Sequence, residues 1–415
     1  MSIHNSLAKA CERVEQESRE HRRSTLKSNR SRDEIDELIL THALPATEVD
    51  ELLGMNHVSF KDFYLDAVKD GVIPEVLKVS NQYKYTLDHV HALMDHAGTP
   101  KYADKNLGTH ILSVTNLKGG TGKSTTATNV AMGIALALKD RKRVAIIDLD
   151  PQGSQSQFTN IDIESDYNIL TAVDIMLGSI EDDSEYTALI QEGYSHDDIV
   201  LDSMIDTHIP NLSVLPAHPD DERFNGSAWN QYINDKRDNA DSKMTHLNLL
   251  SERVIKPLMK EYDVIIIDTA PQMNPLVWSA LEAANVLLIP CTPHALDWTS
   301  TQSFLKSLLQ TLDMLPSEGE NLKWWKVLCT NFDDEHNRDQ AILDRMKESL
   351  GSDLFSNAIL RSQAFEKASQ MYRTVYDIRK SDKLCSPRQL DKATMSLKSA
   401  HREISMFIAD IDVRG

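Results

Sequence analysis

Cysteine is scarce in this chain: there are four in 415 residues, all far apart, and none forms a CxxC pair. This spacing offers no cysteine-based zinc site and suits a reducing compartment. Long apolar runs are missing too, because the stretches at 130–138 and 264–267 fall far short of the ~20 residues that a membrane span needs. The polar, charged N-terminus predicts no signal peptide. We therefore expect a soluble, cytoplasmic protein without a membrane partner.

Basic residues are in the minority, with 44 Lys and Arg against 63 Asp and Glu, and the formal net charge is -19. This charge argues against a histone-like DNA coat. It does not exclude DNA binding, because binding depends on local basic patches. The length suffices for two or three domains with a sizeable core.

The most informative stretch is HILSVTNLKGGTGKSTT, from His110 to Thr126. It predicts an apolar strand, a glycine-rich turn and the start of a helix. This order builds a phosphate-binding loop, in which backbone N–H groups and the helix N-terminus face phosphate oxygens. Lys123 would reach the β- and γ-phosphates of ATP, and the hydroxyl of Ser124 would bind Mg²⁺. The loop residues predicted to bind ATP or ADP are Gly119, Gly120, Thr121, Gly122, Lys123, Ser124 and Thr125.

Two further apolar runs end in aspartates. RVAIIDLDPQGSQS, residues 143–156, places Asp148 and Asp150 at the carboxyl edge of a parallel sheet, where ligands bind in open α/β folds. In YDVIIIDTAPQMN, Asp268 ends a β-branched strand in the Walker B pattern. A carboxylate there holds a magnesium-bound water, so Asp268 and Ser124 are predicted metal-site residues.

The loop departs from the common pattern, because Leu117 replaces its first glycine and Lys118 precedes the glycine pair in KGGTGKST. In this octapeptide and in DLDPQG the sequence resembles the deviant Walker ATPases, the family of ParA, MinD and the nitrogenase iron protein. The resemblance implies a homodimer in which Lys118 touches the nucleotide held by the other subunit. It also implies that Asp150 orients the attacking water, that Asp148 lies near Mg²⁺ and that Asn331 contacts the base. The expected catalytic residues are Lys118, Lys123 and Asp150.

Residues 1–32 differ from the rest, with eight Lys or Arg against four Glu. Apolar residues at helical spacing predict a long polar helix with one narrow apolar stripe, which could pair with a second subunit. A solvated, disordered arm is the alternative.

Residues 33–100 predict a winged helix-turn-helix domain. ATEVDELLGMNHVSFKDFYLDAVKDG divides at Gly54 into two short helices, and a strand pair and a helix from Leu87 follow. The second helix would read the major groove of DNA, and its candidates are Asn56, His57, Ser59 and Lys61. A helical protein-interaction domain is the alternative, which the acidic residues of the first helix favour.

From 106 to 415, apolar strands alternate with helical segments, which predicts an α/β fold with a doubly wound, mostly parallel sheet. We expect the polar insertions at 164–206 and 219–241 to be solvated surface. DDEHNRD, at 333–339, predicts a surface turn, because consecutive side chains cannot converge on one ion without a special loop. In ParA proteins the C-terminal region binds DNA without sequence choice, and ordinary solvated helix faces are the alternative here. The basic candidates are Arg361, Arg373, Arg379, Lys398 and Arg402.

The helix-turn-helix narrows the resemblance to the large, type Ia ParA partition proteins of low-copy plasmids and secondary chromosomes. It implies a nucleoid-associated ATPase that segregates replicons with a ParB-type partner, is stimulated by DNA and that partner, and represses its own operon. Whether closed dimers form filaments on DNA stays open. The alternative function is a nucleotide-gated repressor that does not hydrolyse ATP. Asp150 favours hydrolysis, because ligand binding alone does not need this residue. A third interpretation is a metabolic enzyme of the same superfamily, an amidoligase or a reductase. The sequence lacks the cysteine pair that an iron–sulfur reductase would need.

Overall fold

The computed structural model of this chain has a central sheet with a hydrophobic core on each face. It describes residues 32–76, 78–79, 82–105, 107–153, 155 and 169–414. The basic helix expected before residue 32 lies outside the described residues. No described helix is both long and apolar enough to cross a membrane.

From residue 32 to residue 96, the described residues of the N-terminal part form four helices and a two-stranded antiparallel ribbon. Its elements are α1 (Arg32–Thr41), α2 (Ala46–Leu52), α3 (His57–Lys69), β1 (Lys78–Val79), β2 (Gln82–Tyr83) and α4 (Leu87–His96). Asn56 is the N-cap residue of α3, and its side chain accepts a hydrogen bond from the backbone N–H of Ser59 at 2.9 Å. The order of helices and ribbon agrees with the sequence expectation. That this part is a separate DNA-binding domain stays a prediction.

Seven strands form the central sheet. They are β3 (His110–Val114), β4 (Val144–Leu149), β5 (Ile205–Asp206), β6 (Leu212–Leu215), β7 (Val264–Thr269), β8 (Val286–Cys291) and β9 (Trp324–Cys329). Their order is β5-β6-β4-β7-β3-β8-β9, and every neighbouring pair is parallel except β5 with β6. The five inner strands are buried along their whole length, as expected of apolar runs covered on both faces. The doubly wound, mostly parallel sheet predicted from the sequence is confirmed.

Helices connect and cover the strands. They are α5 (Lys123–Ala135), α6 (Ala172–Leu177), α7 (Glu185–Glu192), α8 (His196–Asp202), α9 (Arg223–Asp238), α10 (Lys256–Leu258), α11 (Pro275–Ala283), α12 (Ala295–Met314), α13 (Asn337–Leu350), α14 (Gln363–Gln370) and α15 (Pro387–Arg414). A π-helical segment, Leu250–Ile255, leads into α10. The parallel strands need such crossovers, since a tight turn cannot return the chain to the same end of the sheet.

Alternate side chains of each inner strand enter opposite cores. In β7, Ile265 and Ile267 belong to the core beneath α6, α11 and α12, whereas Ile266 packs with α5 and α15. This follows from the period of two in a strand. The second core continues into the N-terminal part through residues such as Val49 and Phe60. The N-terminal part therefore shares a hydrophobic core with the rest of the chain.

Polar contacts reinforce this packing. The buried guanidinium of Arg141 donates to the carbonyl oxygen of Thr99 at 2.8 Å and pairs with Asp95. Arg379, which precedes α15, pairs with Glu37 of α1. These two ion pairs join α1 and α4 to segments that are distant in the sequence.

The expectation that both insertions are solvated surface is wrong in part, because each of their helices, α6 to α9, buries at least one apolar side chain. In α6 five side chains are buried in the core of one sheet face: Ala172, Val173, Ile175, Met176 and Leu177. In α9, Phe224 and Ala228 are buried as well. The short apolar runs of these helices cover a sheet face that would otherwise meet water. Asp182 and Asp183 of the acidic run are exposed, as expected.

Candidate nucleotide-binding site

The turn between β3 and α5 is shaped by two glycines. Gly120 has a φ of 79° and Gly122 a φ of 80°, a left-handed conformation that glycine adopts without strain. A Cβ atom placed on Gly119 or Gly120 would meet nothing within 4 Å. The turn therefore borders open space on its glycine-rich side.

Helix α5 starts at Lys123 with an N-terminus that no side chain caps. Gly122 is the N-cap residue and offers no acceptor to the first N–H groups of the helix. These donors and the helix dipole suit an anion such as a phosphate. The turn and helix thus have the form predicted for a phosphate-binding loop, with Ser124 half-buried and Thr125 exposed behind Lys123.

The Lys123 side chain lies across this turn. Its residue is 7% exposed, and its ammonium donates to the carbonyl oxygen of Lys118 at 3.4 Å. Burial lowers the pKa of Lys123, whereas the nearby charges of Asp268 and Asp150 raise it. The structure therefore brings the predicted lysine and two of the predicted aspartates within electrostatic reach of one another.

Two polar side chains fix the ends of the turn. Asn116 is buried, and its amide donates to the carbonyl oxygen of Pro290 at 2.8 Å and to the hydroxyl of Thr301 at 3.0 Å. At the other side, the hydroxyl of Thr330 donates to the carbonyl oxygen of Thr121 at 2.8 Å. The turn is thus tied to β8, α12 and the end of β9, which are all remote in sequence.

Asp148 and Asp268 lie opposite each other on neighbouring strands and are both 0% exposed. Burial raises the pKa of Asp268 to about 6, although hydrogen bonds from Gln155 and Ser124 lower it. Burial and the charge of Asp268 also raise the pKa of Asp148 well above its usual range. Among the described residues, Oδ1 of Asp268 has no hydrogen-bond partner. Two buried carboxylates with one free oxygen fit a divalent cation that prefers oxygen ligands, such as Mg²⁺.

Asp148 also shapes the loop that follows β4. Its Oδ1 accepts the backbone N–H of Asp150 at 3.0 Å, and its Oδ2 accepts that of Gln155 at 2.9 Å. These contacts hold the loop against the sheet edge. Asp148's place beside Mg²⁺ stays a prediction.

Gln155 is a site residue that the sequence reasoning missed. Its side chain is buried, its Oε1 accepts the hydroxyl of Thr128 at 2.6 Å, and its Nε2 donates to the carbonyl oxygen of Ser124 at 3.1 Å. The only signal was its position in DLDPQGSQ, five residues after Asp150. Gln155 joins the loop after β4 to the first turn of α5.

Asp150 and Asn331 lie at the open edge of the site. Asp150 is half-buried, and its Oδ1 accepts the backbone N–H of Gln152 at 3.1 Å. Asn331 follows Thr330, is exposed, and has a φ of 52°. It lines a cleft of about 750 Å³ together with Arg361. The surface turn expected at 333–339 is present at its exposed residues 334–336, whereas residues 337–339 begin α13 and Asp339 is buried.

The Lys118 side chain extends from the turn toward the first turn of α12. It is 45% exposed, and its ammonium lies 3.9 Å from Oδ1 of Asp297 in the first turn of α12. Asp297 also accepts a hydrogen bond from Thr292. An exposed lysine with a single distant ion pair is accessible to a second molecule.

The predicted DNA-binding residues occupy several places. Ser59 and Lys61 are exposed on α3. Asn56 is the N-cap residue of this helix, and Nδ1 of His57 lies 3.3 Å from Oδ2 of Asp50. The C-terminal candidates differ in their exposure and in their ion-pair partners. Nη1 of Arg361 lies 3.9 Å from Oδ2 of Asp333, and Arg379 forms an ion pair with Glu37. Arg373 is half-buried. Lys398 and Arg402 are both exposed and lie four residues apart on α15. Their contact with DNA stays a prediction.

Comparison with known proteins agrees with this site. A family model described as an AAA domain matches residues 109–321. "Plasmid partition protein A" of Escherichia coli is 25% identical over 305 residues, which cover 71% of this chain and 71% of that protein. "Chromosome partitioning protein ParA" of Myxococcus xanthus is 28% identical over 275 residues, 65% of this chain and 82% of that protein.

A solved structure named "Partition Protein" has the same fold, with a TM-score of 0.63 and 22% sequence identity, and the match covers 90% of this chain and 93% of that one. The AAA domain model spans about half of this chain and includes the glycine-rich turn and both aspartate strands. The chain therefore belongs to this AAA domain family and, within it, to the ParA-type partition ATPases.

Proposed function

We propose that this protein is a cytoplasmic, DNA-associated partition ATPase that hydrolyses ATP to ADP and phosphate with Mg²⁺ and acts with a ParB-type partner. The observation that carries the proposal is the convergence of Lys123, Asp150 and the buried Asp268 on one uncapped helix N-terminus. A loop that only held a nucleotide would not need a half-buried carboxylate beside its lysine. The relatives named for partition supply the biological role.

In this proposal the residues of the loop divide the work. The N–H groups of α5 and the ammonium of Lys123 bind the phosphate oxygens and stabilise the charge that develops on them. Ser124 and Asp268 hold Mg²⁺, whose chemistry is to neutralise phosphate charge. Asp150 accepts a hydrogen bond from the attacking water and orients it. Asp148 and Gln155 keep the Asp150 loop in place through the contacts described above.

The proposed active form is a homodimer closed by ATP. Lys118 can reach the nucleotide of the other subunit, because its side chain is 45% exposed and its ammonium makes one long ion pair, at 3.9 Å, with Asp297. An ammonium that leaves Asp297 for the partner's phosphates exchanges a weak surface pair for a stronger charge-assisted contact. Closure would then depend on ATP, since ADP lacks the γ-phosphate.

DNA binding has two proposed surfaces. The exposed side of α3, with Ser59 and Lys61, would read an operator and repress the protein's own operon. Basic residues such as Lys398 and Arg402 on α15 would bind nucleoid DNA through phosphates alone. We propose both DNA-binding roles because the chain is a ParA-type protein.

The second candidate is a repressor that uses nucleotide as a ligand without turnover. It is favoured by the core that α3 and α5 share, because nucleotide on α5 could then alter the DNA-reading helix. One assay separates the two candidates: ATP hydrolysis by the full chain, with and without DNA and the protein of the neighbouring reading frame. We expect slow hydrolysis that both additions accelerate. A rate equal to that of an Asp150→Ala variant under every condition would support the repressor.

A further inference from the structure

Three side chains from distant parts of the chain meet at one buried point. His42 lies between α1 and α2, His208 lies between β5 and β6, and Asp377 lies in the 3₁₀ turn Val375–Asp377. Nε2 of His42 and Nε2 of His208 are each 2.7 Å from the same oxygen, Oδ1 of Asp377. The three side chains are 7%, 8% and 0% exposed. Their ligand atoms all lie within 4.8 Å of one another.

The carboxylate of Asp377 is oriented by a neighbour. Both the backbone N–H and the hydroxyl of Thr374 donate to its Oδ2 at 2.7 Å. This leaves Oδ1 directed at the two imidazoles. Hydrogen bonds of this kind, from an outer residue to a ligating carboxylate, fix the ligand's direction and raise metal affinity.

The donor set is chemically selective. Two imidazole nitrogens and one carboxylate oxygen suit Zn²⁺ and its transition-metal neighbours, whereas Mg²⁺ and Ca²⁺ prefer oxygen ligands alone. The nucleotide site, with its carboxylates and serine hydroxyl, has the opposite preference. We propose that His42, His208 and Asp377 bind one Zn²⁺ ion, independently of nucleotide.

The geometry needs a small adjustment. Zinc holds such ligands at about 2.0–2.1 Å, which sets tetrahedral ligand atoms about 3.3 Å apart. Each 2.7 Å contact would therefore widen by about 0.6 Å. Both histidines lie outside helices and strands, so a rotation of their rings can provide this change.

The fourth ligand would be water. His42 also lines a cleft of about 810 Å³ between the N-terminal part, α5 and α15, which gives an ion and a water molecule a route inward. A bound ion would tie the start of the N-terminal part to β6 and to the turn before α15. Its loss should therefore loosen the packing of α1 and α2 while the nucleotide site is unchanged.

The competing arrangement is a metal-free clasp, in which both imidazoles donate to Asp377. To distinguish the two, the full chain is stripped with a chelator, kept in excess Mg²⁺ without nucleotide, and titrated with Zn²⁺ and with Co²⁺. We expect one tightly bound ion per chain, a rise in melting temperature on adding Zn²⁺, and a tetrahedral Co²⁺ absorption spectrum without a thiolate charge-transfer band. The last feature separates this site from the cysteines.

Variants locate the ion. His208→Gln should abolish tight binding, and Thr374→Val, which removes one hydrogen bond to Asp377, should lower affinity by about 10- to 100-fold. His218→Gln removes an exposed imidazole elsewhere and should bind as the unaltered chain does. If His208→Gln fails to fold, the Co²⁺ spectrum and the Zn²⁺-dependent melting of the unaltered chain still decide the question. No binding by the unaltered chain, a thiolate band, or normal binding by a folded His208→Gln variant would each overturn the proposal.

Discussion

The side-chain amide of Gln155 donates a hydrogen bond to Oδ2 of Asp268 across 2.7 Å, and so joins the loop after β4 to the end of β7. The same nitrogen lies 3.1 Å from the carbonyl oxygen of Ser124. One amide on the Asp150 loop therefore contacts both the first turn of α5 and the end of β7, two segments that carry predicted nucleotide or metal residues. A cation bound at the free Oδ1 of Asp268 would leave this hydrogen bond to Oδ2 in place, so Gln155 can orient the carboxylate while the metal binds.

Lys123 provides the most direct test of the nucleotide site. Lys123→Ala removes the ammonium that lies across the turn, so ATP affinity and turnover should both collapse, since a charge-assisted contact to phosphate is lost. Binding of a fluorescent ATP analogue and release of phosphate measure the two effects. Lys139→Ala, a change after the end of α5, is the matched control and should leave both unchanged. Near-normal ATP binding by Lys123→Ala would contradict the phosphate-loop assignment.

Much of this site follows from local sequence. The glycine turn, the strand before it and the aspartates that end β4 and β7 were predictable, because glycine conformation and runs of β-branched residues act over a few neighbours. The core role of α6 was not, because a short apolar run inside a polar insertion does not reveal which sheet face it covers. The contacts of Asp377 with His42 and His208 span 335 and 169 residues of sequence, and no local pattern predicts them.

The DNA-reading role of α3 can be tested in the full chain, which keeps the core that the N-terminal part shares with the sheet. Ser59→Ala and Lys61→Ala should weaken binding to the DNA upstream of the gene, each by about 1–3 kcal/mol if it reads a base edge. Hydrolysis of ATP without DNA should not change. Lys69→Ala, an exposed position at the end of α3, is the control. Footprinting in which the unaltered protein protects no site on its own upstream DNA would refute the operator role.

His401 predicts a loss of stability in acid. Burial and the charge of Lys142 lower its pKa to about 4, against 6.5 for a free imidazole. Between these values the unfolded chain binds the proton more readily than the folded one, so the free energy of unfolding falls as the pH drops from 6.5 to 4.

His401→Gln should remove this dependence. Between pH 7 and pH 4.5 the unaltered chain should lose about 2 kcal/mol more stability than the variant does. Urea unfolding at the two pH values measures the difference, and carboxyl groups that titrate in both proteins cancel. His218→Gln controls for removal of an imidazole as such. Equal losses in the unaltered chain and His401→Gln would show that folding does not lower the pKa of this imidazole.

Variants of Lys118 and Asp150 should have opposite effects on the ATP-dependent dimer if the catalytic roles proposed for these residues are right. Lys118→Ala leaves Lys123 to hold the phosphates, so a monomer should still bind ATP, but the ATP-dependent dimer and its turnover should be lost. Asp297→Asn is the matched control, because it removes the 3.9 Å partner of Lys118 within the subunit and keeps the lysine itself. That variant should dimerise at least as readily as the unaltered chain.

Asp150→Ala should instead trap the closed state. Loss of a group that orients the nucleophile lowers the chemical step by about 100-fold while contacts to the bound nucleotide persist. The variant should therefore stay dimeric and bound to non-specific DNA after ATP is added, and the partner should not release it. Sedimentation of both variants with ATP, followed by phosphate release, tests the contrast. Two monomeric variants, or an Asp150→Ala variant that hydrolyses ATP at the unaltered rate, would show that these residues do not divide closure from chemistry.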